Sequence, residues 1–126
     1  MAFPGGSIAP GGVIVIAQRA DVFSSTYGLA PDFELRDSGP AVPDMTPVNS
    51  RIGWGNGGDE AILRNVSGED VDVVVYGSGS YPGATPHPGV GWGHSLERKP
   101  ANRDTDDCSA DFGERYTPNP GQVTLD

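Results

Sequence analysis

Apolar and polar residues alternate most regularly between Asp59 and Tyr76. Asp59–Arg64 reads as a strand, with Asp59, Ala61 and Leu63 on one face and Glu60, Ile62 and Arg64 on the other. Val71–Tyr76 reads as a second strand, with Val71, Val73 and Val75 facing a core and Asp72, Val74 and Tyr76 facing out. Asn65-Val66-Ser67-Gly68 supplies the turn between them. Gly55, Asn56, Gly57 and Gly58 build a second turn ahead of the hairpin, since glycine and asparagine tolerate positive φ. The hairpin has one core face and carries nothing that reads as an active site.

The same pattern organises the flanks. Val13–Ala17 is apolar and β-branched on both faces, which predicts a central strand covered on both sides. The rhythm changes over Gln18–Tyr27, where Phe23 and Tyr27 stand four apart; a short helix near residues 20–27 is expected, with Asp21 capping it and Gly28 ending it. That helix should pack Val22, Phe23 and Tyr27 onto the sheet. Asp32–Asp37, with Phe33 and Leu35 in alternation, predicts a short strand, and the prolines of Ser38–Pro47 predict a loop. Arg51–Trp54 is expected to rejoin the sheet, and Gly77–Gly93 forms a long Gly/Pro loop. Ser95–Arg98 reads as a closing strand, Asp104–Phe112 as a turn-rich segment and Val123–Leu125 as a last edge strand.

Composition narrows the class. The 126 residues suit one domain spanning 1–126, with a real but modest core. The 19 glycines and 12 prolines interrupt apolar runs without replacing them, so they mark turns; helices would tolerate them poorly, and a mainly β protein follows. The net charge of −9 argues against direct nucleic-acid binding, which depends on Lys and Arg neutralising phosphates. It also disfavours anionic membranes. No apolar run approaches the ~20 residues of a membrane span. Met1–Ile16 lacks the basic start and unbroken apolar stretch of a signal peptide, so a secreted form is expected to carry its signal upstream. Cys108 is the single cysteine, which excludes an intrachain disulfide and suits a buried small apolar residue.

The hairpin also carries a family resemblance. Asn56, Gly58, Asp59, Leu63, Asn65, Gly68, Val71, Asp72, Val74, Tyr76 and Gly77 resemble the central motif of lamin tail domains. Ala9-Pro10-Gly11-Gly12-Val13-Ile14-Val15-Ile16-Ala17 is similar to that family's Pro-Gly-Gly strand. Gly93–Pro100 and Asp104–Phe112 look like the closing section of its prokaryotic members. The resemblance covers about Phe3 to Gly121 and implies an all-β, immunoglobulin-like β-sandwich. The family's usual opening strands have no counterpart before Phe3-Pro4-Gly5-Gly6, so the sandwich is expected to be N-terminally incomplete. Such a sandwich would leave a vacant sheet edge, to be covered by a second copy, by a separate strand-donating fragment, or by the Tyr116–Leu125 tail folding back.

Candidate chemistry is sparse. Asp104, Asp106, Asp107 and Asp111 offer oxygen ligands that would suit Ca²⁺, but the EF-hand spacing fails at Cys108 and Ser109, and aspartates also build turns without a metal. His87 and His94 lack the spacing of a zinc site, and no Gly-x-Ser-x-Gly elbow sits between a strand and a helix. Asn65-Val66-Ser67 matches a glycosylation sequon. Tyr81 and Trp92 flank the long loop, where two aromatic rings could stack on a sugar or anchor a protein; the plainer expectation is that Trp92 folds back to cap the sandwich.

These features point to a non-catalytic binding or structural module, with no cofactor, that mediates protein–protein association or tethering. The resemblance implies an extracellular or cell-surface setting, beside hydrolytic enzymes. An accessory substrate-capture domain of an extracellular nuclease or phosphodiesterase is the alternative, and fold alone does not choose between them.

Overall fold

The computed structural model describes residues 1–46 and 52–125. The chain packs as two compact units, Met1–Gly53 with Asn119–Gln122, and Trp54–Pro118 with Val123–Asp126.

In the first unit, strand β1 (Ile16–Ala17) pairs in parallel with β2 (Phe33–Glu34), Ile16 opposite Phe33 and Ala17 opposite Glu34. Parallel neighbours need a crossover, and helix α1 (Ala20–Tyr27) provides it. The helix ends where expected: Gly28 takes a left-handed φ of 71° and its N–H donates to the Ser24 carbonyl at 2.9 Å. Its start differs from expectation. Arg19 holds the cap position without a side-chain capping bond, and Asp21 sits inside the first turn, where it accepts from the Val22 N–H and from the Arg19 guanidinium. Only Ala20 of the helix is buried, while Val22 and Tyr27 are exposed, so the expected packing of an apolar helical face is not formed. Phe23 and Tyr27 instead stack on each other with centroids 4.9 Å apart.

The strand expected over Val13–Ala17 shrinks to two residues, with Val13 and Ile16 exposed. Val15 spends its N–H on the Asp32 carboxylate at 2.7 Å, and its carbonyl accepts from the N–H groups of Asp32 and Phe33. Similarly, Asp32–Asp37 keeps only Phe33–Glu34 as strand, because the chain turns at Leu35 to wrap Ser38 and Gly39 around the Glu34 carboxylate. Arg51 of the expected Arg51–Trp54 strand lies outside the described residues, and Ile52–Trp54 is not strand.

In the second unit the expected hairpin is present. Strands β3 (Gly58–Arg64) and β4 (Asp70–Gly77) pair antiparallel from Gly58–Gly77 to Arg64–Asp70, with a bulge near the turn. Gly79 is required where the chain leaves β4, since a Cβ there would lie 2.3 Å from the Asp59 carbonyl oxygen. Val75 is the buried centre of the hairpin, Val73 is half-buried and Val71 is exposed, so the core face fades toward the turn. The Gly77–Gly93 loop runs along the outer edge of β4: the Gly77 N–H donates to the His87 carbonyl at 2.8 Å, and the His87 N–H donates to the Val75 carbonyl at 2.9 Å. Strand β5 (Ser95–Arg98) forms as expected and pairs antiparallel with β6 (Phe112–Arg115). A short helix α2 (Cys108–Asp111) occupies the stretch read as turns. Cys108 is buried there, its sulfur accepting the Val75 N–H at 3.4 Å. Val123–Leu125 forms no strand; Thr124 is tied instead to the Ala101 N–H and, through its hydroxyl, to Glu97.

The all-β, immunoglobulin-like β-sandwich is therefore corrected. Among the described residues there are two helices and six short strands in three two-stranded sheets, a small mixed α and β arrangement without a closed sandwich. A sandwich needs two multi-stranded sheets with continuous inward-facing apolar rows. Among the described residues the buried apolar side chains are few, namely Ala17, Ala20, Met45, Val75 and Cys108. Glu34 in the first unit and Asp111 in the second take the places a core residue would fill.

Candidate functional site

The most exposed large aromatic side chain of the molecule is Trp92, 94% accessible. It stands on a tight turn whose His94 N–H donates to the Gly91 carbonyl at 3.2 Å. Glu114 on β6 pins both ends of that turn with one oxygen. Its Oε1 accepts the Gly91 N–H at 2.8 Å and lies 2.5 Å from His94 Nδ1. The Gly91 N–H, followed by His94, holds the Glu114 carboxyl below the usual range. Both flanking glycines are needed: Gly93 has a φ of 77°, and a Cβ on Gly91 would lie 2.9 Å from His94 Nδ1. Pairing of Ser95 with Arg115 brings the preceding His94 beside the following Tyr116, whose rings meet edge to face at 4.7 Å. Tyr116 is itself 73% exposed. The turn thus presents an indole to solvent on a fixed base, with a second open ring just past the end of β6.

Tyr81, named with Trp92 from the sequence, is used differently. Its hydroxyl donates to Asp70 Oδ2 at 2.6 Å, while Asp70 Oδ1 accepts from Arg64 Nε, so Tyr81 braces the β3–β4 hairpin. That bond to Asp70 raises the Tyr81 hydroxyl pKa. No aromatic contact joins Tyr81 to Trp92 among the described residues. Trp92 does not fold back to cap anything, because the Glu114 clamp aims the turn outward. Tyr116 takes the place beside the clamp, directly after β6, a strand that the sequence reading did not expect.

Asp104, Asp106, Asp107 and Asp111, weighed from the sequence as calcium ligands or turn-builders, stand in turns and caps. Asp107 caps α2, accepting the Ser109 and Ala110 N–H groups at 3.0 and 3.3 Å. Asp111 is buried and accepts the Thr105 N–H at 2.7 Å and hydroxyl at 2.9 Å, with Arg103 Nε 2.9 Å away. The Thr105 N–H is the chief cause of its lowered pKa. Asp104 pairs with Arg98, and Asp106 takes a left-handed φ of 59° in the turn. They do not converge on a common point.

A different group does converge. Carboxylate oxygens of Glu34, Asp37 and Asp44 lie within 4.8 Å of one another. Glu34, however, already receives four donors: the N–H groups of Ala20, Ser38 and Gly39, and the Ser38 hydroxyl. Burial pushes its pKa up, but these bonds outweigh it and hold the carboxyl down to about 2. Asp44 moves the other way, raised by its own burial and then by Asp37 and Glu34. No spacing in the sequence marks this trio, since the three residues meet only through the turn at Ser38–Gly39.

His87 and His94 stand apart in their roles. His87 Nδ1 accepts the Gly89 N–H at 3.0 Å, and His94 belongs to the Glu114 clamp. Asn65 of the sequon builds the hairpin turn: its Oδ1 accepts the Ser67 and Glu69 N–H groups at 2.9 and 3.0 Å. Among the described residues no helix is long and apolar enough to cross a membrane. Comparison of the chain with known protein families, curated proteins and solved structures found no match.

Proposed function

We propose that this chain is a non-catalytic binding module that associates with another protein through Trp92. The observation that carries the reading is the 94% exposure of an indole on a turn anchored at both ends by Glu114. A large apolar side chain held open costs solvation free energy in the free molecule, and recovering it needs a partner surface. Fixing the turn beforehand lowers the ordering cost of binding, and tryptophan is the residue type most enriched at interface centres. Support also comes from the ionisable groups around the turn, which are used in holding it. The lamin-tail-like motif on the hairpin adds support for tethering outside the cell or at its surface.

The experiment places a photoreactive benzophenone side chain at position 92, and as a control at position 66, where Val66 is also fully exposed. Each form is irradiated in its native setting. Discrete protein adducts at position 92 and not at 66 are expected. Equal labelling at both positions would remove the reading.

A further inference from the structure

We infer that the outer edge of β3 is a self-association surface, on which a second copy of this chain pairs antiparallel about a two-fold axis through Ile62. This uses a different face from Trp92 and does not depend on it.

The backbone polarity of the hairpin comes first. Val75 gives its N–H to Cys108 Sγ and its carbonyl to the His87 N–H, and the Val73 carbonyl accepts from Cys108 Sγ at 3.8 Å. Val73 and Val75 therefore point these groups away from β3. Their partners across the ladder are Ile62 and Glu60. In an antiparallel pair, residues opposite one another either exchange both bonds or neither, so Ile62 and Glu60 turn their N–H and C=O groups to the free side of β3. Among the described residues no backbone bond reaches the edge from Glu60 to Arg64.

Next comes what that edge can accept. β4 is covered on its far side by the His87 segment, so β3 is the open side of this two-stranded sheet. Two strands alone are marginal, whereas pairing two copies gives a four-stranded sheet. Ile62, 36% exposed, and the neighbouring Leu63 leave apolar surface at the edge.

Register follows from parity and charge. An axis through Ile62 sets Ile62 against Ile62 as a bonded pair, and two residues away it sets Glu60 against Arg64, twice by symmetry. Opposite charges directly across an antiparallel pair stabilise it. Shifting the axis to Ala61 would make Ala61 against Ala61 a non-bonded pair and place Glu60 against Ile62, which loses both charge pairs. Within one copy the Glu60 N–H is capped by Asp59 Oδ1 at 3.0 Å, so pairing exchanges that bond for the Arg64 carbonyl of the second copy. Among the described residues nothing caps the Ile62 N–H. Arg64 already contacts Asp70 but is largely exposed, which leaves its guanidinium able to reach a second carboxylate.

The test is light scattering over a dilution series, combined with residue-resolved amide exchange on the intact chain. A concentration-dependent dimer is expected, with the Ile62 amide unprotected at low concentration and protected at high concentration. The Ala61 amide, which faces β4, is expected to be protected throughout. Glu60→Lys should weaken the dimer about fivefold or more, and so should Arg64→Glu; an equimolar mixture of the two variants should recover it, because both cross-strand pairs are then opposite in sign. A monomer at all concentrations would overturn the inference. So would a dimer in which Ile62 stays unprotected, since the interface would then lie elsewhere. Neither result touches the Trp92 adducts, so the two readings fail separately.

Discussion

Glu34 Oε2 accepts the Ala20 N–H at 2.8 Å, so α1 is capped by a buried carboxylate 14 residues away in the chain. The same side chain holds Ser38 and Gly39 and pairs through its backbone with β1, which makes it the hub of the first unit. Glu34→Gln keeps the shape but turns one acceptor into a donor facing N–H groups. A loss of ~1–3 kcal/mol in unfolding free energy is expected, measured by urea titration. Asp21→Asn should shift the midpoint far less, because Asp21 is not the cap. Equal losses in both variants would show that the helix is capped locally after all.

Acid sensitivity follows from two carboxyls. Glu34 and Glu97 are each held down to about 2 from an ordinary 4.5. For Glu97 the Thr124 hydroxyl is the chief cause, acting against burial and together with Lys99 and Arg115. Both groups bind fewer protons folded than unfolded. Their contribution is fully present above pH ~4.5 and is lost as the pH falls through ~2. Urea midpoints measured from pH 7 to pH 2 should fall within that window, and the fall should be shallower in Glu34→Gln.

Trp92 should contribute to binding and not to folding. Trp92→Ala is expected to leave unfolding free energy within ~0.5 kcal/mol of the parent, an unusual outcome for the loss of a tryptophan. In a Trp54→Phe background, Trp92 fluorescence should be solvent-like and fully open to acrylamide quenching. Shielded emission would mean that the turn closes in solution.

The hairpin exit supplies a steric test. Gly79→Ala puts a methyl 2.3 Å from the Asp59 carbonyl oxygen and should cost ~1–3 kcal/mol. Gly57→Ala meets nothing within 4 Å and should be nearly neutral. Thermal unfolding of the two variants side by side measures the difference.

Local pattern made some elements legible. Alternation between Asp59 and Tyr76 located the hairpin, the Phe23–Tyr27 spacing and Gly28 located α1, and Ser95–Arg98 located β5. Each rests on side chains and backbone preferences within a few residues of one another, which is what a sequence records directly. Cys108 was likewise readable as a buried small residue.

Everything that depended on distant partners was decided by the tertiary structure. Val13–Ala17 looked like a buried strand, yet Asp32 takes the Val15 N–H, Val13 lies in solvent and only Ile16–Ala17 pairs. The aspartates of 104–111 offered either ligands or turn-builders, and Thr105, Arg103, Arg98 and the α2 backbone are the partners that Asp111, Asp104 and Asp107 find in the fold. Tyr81 and Trp92 lie in one loop but serve different neighbours, Asp70 and the Glu114-clamped turn. The sequence by itself determined the turns, the hairpin and the helix, because glycine conformations and residue periodicity act over short range. Only the tertiary structure decided that Glu34 and Asp111 stand where a sandwich would have an apolar core. A carboxylate can fill such a place only when several N–H and hydroxyl donors from separate segments converge on it, and that convergence is a property of the folded chain.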